Sequence, residues 1–143
     1  MLSIKYSFYA ILLAIFITFL GCESPKEQVA TTFLAISKVS MSKDIDGKTG
    51  SITDVLNAND QTFHCLVQTN KIQADAKITA TLIAVSAENY ENFEVRTLAQ
   101  NTDSINTVYD FPFSLARTWF KGNYRCDIYL NDSLAEVKNF KIQ

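Results

Sequence analysis

The chain is predicted to fold as an all-β, antiparallel sandwich of seven to eight strands. Three observations predict it. β-Branched and aromatic residues recur with period-two alternation between turn signals. The candidate strands follow one another about 8–15 residues apart, the spacing of a sandwich rather than of strand–helix units. No helical period persists for ten residues, except for a turn's worth near Glu88, Asn89, Tyr90 and Glu91.

Taken in order, strands are expected over 30–40, 51–56, 61–69, 76–86, 92–99, 105–115, 123–131 and 134–142. The first two flank Asp44-Ile45-Asp46-Gly47-Lys48-Thr49-Gly50, whose Asp and Gly content marks a turn or hairpin tip. In the third, Phe63, Cys65 and Val67 share one face. The fourth is nearly unbroken: Ile78, Ala80, Leu82 and Ala84 face one way, while Thr79, Thr81, Ile83 and Val85 face the other. That pattern describes a central strand partly covered on both sides. Phe111 and Phe113 flank Pro112 with the same parity and are expected in the core. Tyr124, Cys126, Ile128 and Leu130 share a face opposite Arg125 and Asp127, and Asn131-Asp132 then turns the chain into the last strand. There are no internal repeats and no low-complexity tract.

The N-terminus reads differently. A basic Lys5 precedes an apolar run over residues 8–20, about 13 residues. That is short of the ~20 a spanning helix needs and is the right length for the apolar region of a secretory signal. Phe19-Leu20-Gly21-Cys22 resembles the lipobox of bacterial lipoproteins, with Phe19 where Leu is usual. The resemblance implies cleavage before Cys22 and acylation (palmitate-type chains) of that residue, hence a lipid bilayer as partner and the bacterial cell envelope as location. The alternatives are a plain signal peptide or an uncleaved anchor. Two or more acyl chains hold a protein stably where one does not. The expected layout is therefore 1–21 signal peptide, 22–29 lipidated tether and 30–143 β-sandwich.

Loss of residues 1–21 removes one basic side chain and leaves 12 against 15 acidic ones, a net charge of −3. A mildly acidic chain with no basic stripe has no footprint for nucleic acid. It also has no polybasic run for anionic lipid, so acyl chains alone would anchor it. Cys65 and Cys126 remain as an even pair in an exported chain, each pointing inward from its strand. They are expected to form a disulfide, which would stabilise by ~4 kcal/mol in the chain-entropy description. Two buried free thiols are the alternative.

Gly122-Asn123-Tyr124-Arg125-Cys126 resembles the immunoglobulin fold. Tyr124, two residues before the second cysteine, takes the place of the tyrosine corner, and the 61-residue separation of the cysteines suits strands B and F of that fold. The chain departs from antibody domains in lacking a Trp after Cys65, where residues 78–82 stand instead; the lone Trp119 lies just before the Gly122 turn. The C-terminal stretch is also similar to the closing hairpin of many small bacterial envelope lipoproteins, mostly uncharacterised. It runs from Trp119 through the Gly122 turn, Tyr124 and an alternating strand ending in Leu130-Asn131 to a final Phe140-Lys141-Ile142. Phe120 stands where those proteins usually have Pro, and they mostly lack the cysteine pair. Trp119 is expected to cover an open end of the sandwich, and Gly122 to permit the turn.

No catalytic residue is expected, and no cofactor or metal. His64 is the only histidine, and it alternates with core residues as an outward strand position. There is no G-x-S-x-G elbow for a nucleophile. Asp44, Asp46 and Gly47 match the opening of a calcium loop, but Lys48 and Thr49 break the ligand series and no Glu closes it. The expectation is a membrane-anchored, non-catalytic binding or accessory module with a protein or glycan partner. The alternative is a periplasmic inhibitor or immunity lipoprotein presenting residues 88–94 to a hydrolase or toxin. Tyr90, Glu91 and Glu94 are the candidate contacts, with Tyr90 the exposed anchor.

Overall fold

The computed structural model describes residues 33–143. The expected signal peptide (1–21), Cys22 and the whole of the expected tether (22–29), with residues 30–32 of the expected sandwich, therefore lie outside the described residues. Among the described residues, nine strands make two sheets. The first has the order β2 (Lys48–Ile52), β1 (Ile36–Ile45), β4 (Thr62–Thr69), β7 (Val108–Ser114). The second has the order β3 (Val55–Leu56), β9 (Ser133–Ile142), β8 (Gly122–Leu130), β5 (Lys77–Ala87), β6 (Tyr90–Asn101). All pairings are antiparallel except the short β3–β9 contact. The β1–β4–β7 and β9–β8–β5–β6 orders correspond to the A-B-E and G-F-C-C′ sheets of an immunoglobulin-like sandwich.

Alternation along each strand explains the core. Phe63, Cys65 and Val67 from β4, Tyr109, Phe111 and Phe113 from β7, and Tyr124, Cys126 and Ile128 from β8 are all buried between the sheets. Ile78, Ala80, Leu82 and Ala84 add the inward face of β5. Each large apolar side chain enclosed this way contributes ~1.5–3 kcal/mol. Pro112 fits because β7 is an edge strand whose ladder it does not interrupt on the open side.

Strand boundaries differ from the expected ones mainly at the start. β1 begins at Ile36 and runs on to Ile45, so the Asp46-Gly47 tip joins β1 directly to β2. Asp46 and Gly47 both take left-handed angles there, with φ of 55° and 79°. β6 begins at Tyr90, immediately after a two-residue turn at Glu88-Asn89 in which Glu88 has φ of 50°.

The edge strands β6 and β7 of the two sheets lie side by side. Arg96 Nη1 donates to the Ser114 carbonyl and Gln100 Nε2 to the Asp110 carbonyl, both at 3.2 Å. These side chains occupy part of the edge that would otherwise be free to pair with another chain.

Candidate functional site

One end of the sandwich is aromatic. Phe63 packs on Trp119 at 4.7 Å between ring centroids and on Phe140 at 5.5 Å, and Tyr124 stacks on Phe140 at 5.7 Å. Trp119 is held by its backbone N–H, which donates to the Ala58 carbonyl at 2.9 Å. Two residues beyond Phe120, Gly122 starts β8 against the end of β5. A Cβ there would lie 2.2 Å from the Ser86 carbonyl oxygen and 2.6 Å from Ala87 Cα. Glycine is thus required by this close approach as well as by the turn. The Tyr124 hydroxyl donates to the Phe120 carbonyl at 2.8 Å, which is the tyrosine-corner bond. Burial pushes the Tyr124 pKa up to about 12, Glu88 adding to the rise and Arg117 opposing it.

Outside this plug lies a pocket of about 120 Å³, walled by Tyr90, Phe93, Leu115, Trp119 and Phe120 with Arg117 in its lining. Tyr90 stacks on Phe120 at 5.3 Å and meets Phe93 at 5.1 Å. The Arg117 guanidinium sits 4.8 Å above the Phe120 ring. Phe93 is 50% exposed, so the rim offers apolar surface to a partner. Trp119 is only 3% exposed, and its indole Nε1 is buried without a hydrogen-bond partner.

The three expected contact residues are not brought together. Tyr90 is half-buried in the aromatic pocket rather than exposed, because Phe120 and Phe93 both pack on it. Glu94 lies in a separate polar groove on the outer face of the second sheet, lined by Lys77, Thr79, Thr81, Ile83, Tyr129 and Asp132. Its carboxylate accepts from the Thr97 hydroxyl at 2.9 Å. Glu91 is exposed opposite Ser86. Residues 88–94 form a tight turn and a strand, not a loop that enters a cleft.

His64 does face outward from the sheet, but it is 3% exposed. Its Nδ1 lies 2.9 Å from Asp110 Oδ1, and its Nε2 lies 3.0 Å from Asp44 Oδ2. The strand register explains the meeting, since β4 runs between β1 and β7 with Ser42 and Pro112 opposite His64. Burial alone would lower the imidazole pKa, but hydrogen bonds to Asp44 and then Asp110 outweigh it and raise it. The same contact, with a bond from the Gly47 N–H, lowers the pKa of Asp44. Both ring nitrogens are engaged, so this cluster ties β1, β4 and β7 together. Among the described residues no group of His, Cys, Asp and Glu is arranged to hold a metal ion.

Cys65 and Cys126 meet across the core from the two sheets as expected, but as free thiols. Hydrogen bonding to Cys65, then burial, raises the Cys126 pKa well above the usual thiol range. The structure contains no bond between the two sulfurs. Packing places the sulfurs next to each other, whereas a covalent bond at ~2.05 Å additionally needs an oxidant.

Sequence reasoning did not identify Arg117, or the Phe120–Tyr90 stack. The run Arg117-Thr118-Trp119-Phe120 before the Gly122 turn was the available signal. The His64 partners had none, lying 20 and 46 residues away.

No family profile matches the chain, and no curated protein matches it. Among solved structures it is similar to an immunoglobulin-like protein from Pseudomonas aeruginosa, with TM-score 0.56 and 13% identity over 80% of this chain and 99% of that one. It also matches part of a β-glucosidase from Listeria innocua, with TM-score 0.47 and 15% identity, over 74% of this chain and 16% of that one. The first likeness shows the immunoglobulin-like fold.

Proposed function

We propose that the chain is a lipid-anchored, non-catalytic binding module of the bacterial envelope, held to the bilayer through acylated Cys22 and engaging a protein or glycan with the aromatic end of its sandwich. The observation that carries the binding reading is the pocket formed by Tyr90, Phe93 and Phe120 beside Trp119, with half-exposed Phe93 at its rim. Aromatic side chains presented at the end of a rigid scaffold, here by the start of β6 and by the segment between β7 and β8, are favoured contact residues. The anchoring reading rests on Phe19-Leu20-Gly21-Cys22 after a short apolar run.

One feature makes the scaffold rigid and a second would add to it. The Asp44–His64–Asp110 cluster ties three strands of one sheet, and the Cys65–Cys126 pair joins the two sheets once an envelope oxidant withdraws two electrons and two protons from the thiols. The inhibitor reading has less support, because residues 88–94 lie along an edge strand instead of protruding.

The test is cross-linking of the full-length lipoprotein in its native envelope, followed by purification and mass spectrometry. A stoichiometric envelope partner whose recovery falls in Phe93→Ser supports the reading. A sugar-binding screen replaces this when no protein is recovered. Hydrolytic turnover by the purified protein, abolished by a point substitution, overturns it.

A further inference from the structure

We infer that the pocket beside Trp119 binds a small apolar group bearing a carboxylate, gripped by the indole Nε1–H of Trp119 and the guanidinium of Arg117 and walled by Tyr90, Phe93 and Phe120. This rests on the binding-module reading and names the chemistry of its site.

Three observations converge on that ligand. The first is an unused donor. Trp119 lines the pocket, is 3% exposed and its Nε1 has no acceptor, a costly state for a buried N–H that a ligand oxygen would relieve once the pocket wall shifts enough to uncover it. The second is charge. Arg117 is exposed and makes no ion pair among the described residues; the Phe120 ring face, 4.8 Å away, steadies its guanidinium beside the same pocket. A carboxylate has two oxygens and accepts from both donors in a charge-assisted way, whereas a neutral amide offers one and an ammonium none. The third is size. The pocket holds about 120 Å³, and a ~150 Å³ apolar cavity in another protein admits one benzene. The pocket is thus in the size class of one ring or one branched side chain.

Neighbouring groups set the balance. The Tyr124 hydroxyl is committed to the Phe120 carbonyl and, with a pKa near 12, stays neutral. Glu88 acts on Tyr124 but is not part of the pocket lining, so it weakens an anionic ligand without blocking it.

Trp119 is the single tryptophan, so one indole ¹H–¹⁵N cross-peak reports on the site. The full-length protein in nanodiscs is titrated with phenylacetate, phenylacetamide and N-acetyl-Ala-Phe as its free acid. The acids should move the indole proton downfield and saturate with a Kd of ~1 mM or tighter. The amide should bind ~5- to 10-fold more weakly. Arg117→Gln, an exposed change, should lose the same ~5- to 10-fold for acids and little for the amide, while Glu88→Gln should tighten acids. A peptide acid that binds more tightly than phenylacetate identifies a polypeptide C-terminus as the source, and equal binding identifies a free small acid. Both outcomes support the carboxylate site. An unmoved cross-peak, equal response to acid and amide, or Arg117→Gln without effect overturns it. If an envelope partner is still captured in that case, the binding-module reading stands without this pocket.

Discussion

The Tyr124 hydroxyl donates to the carbonyl of Phe120 four residues upstream, at 2.8 Å, and so closes the segment that carries Trp119 and the pocket wall onto strand β8. Tyr124→Phe keeps the ring stacked on Phe140 and removes only this bond. The expected loss is about 1 kcal/mol, measured as a lower urea midpoint at unchanged m-value. A loss indistinguishable from zero would mean that the ring alone holds the corner.

Gly122→Ala tests the close approach of β8 to β5. Its new Cβ would meet the Ser86 carbonyl oxygen at 2.2 Å, and that neighbour is backbone that does not rotate away. Destabilisation of ~1–3 kcal/mol is expected, with broadening of the Trp119 signal because the segment 119–122 must shift. Wild-type stability would show that the strand ends separate freely.

His64 makes stability depend on pH. Its folded pKa is raised above the ordinary 6.5, so the stabilisation is complete below about 6.5 and is lost as pH rises through the folded value. Asp44 acts at the other end: its folded pKa is lowered below 3.8, so its contribution is present above 3.8 and lost as pH falls through the folded value. Urea midpoints across pH should therefore decline on the alkaline side, and His64→Gln should flatten that decline. An equal slope in the variant would place the titrating group elsewhere.

The cysteines give a two-part result. In reduced, folded protein neither thiol should react with an alkylating reagent near pH 8, because both are fully buried and Cys126 is held protonated. Protein purified from an oxidising envelope should show no alkylation even in denaturant, and should exceed its reduced form in stability by ~4 kcal/mol. Two titratable thiols in the untreated, denatured protein would mean that the pair stays reduced.

Cys22→Ser should release the protein from the membrane fraction, because no acyl chain is then added and the remaining sequence has no polybasic segment to replace it. A variant still found in the membrane pellet would show that residues 8–20 act as an uncleaved anchor.

Most of the sandwich was legible in the sequence because it depends on local periodicity. The parity of Phe63, Cys65 and Val67, the double-faced run from Ile78 to Val85, and the Phe111-Pro112-Phe113 triplet each report which face is buried without reference to any distant residue. The tyrosine corner was legible for a related reason, since Tyr124 and Phe120 are four residues apart.

What the sequence determined by itself is thus the strand pattern, the inward cysteines, the tyrosine corner and the lipobox-like N-terminus, all written in short windows. Tertiary structure alone decided the rest. Strand pairing put Asp44 and Asp110 on the two nitrogens of His64 and buried an imidazole that alternation marks as outward. The β5–β6 hairpin folded Tyr90 under Phe120 and sent Glu94 to the opposite face. The reason is that register and sheet order set distances between residues tens of positions apart, and alternation within one strand carries no information about them.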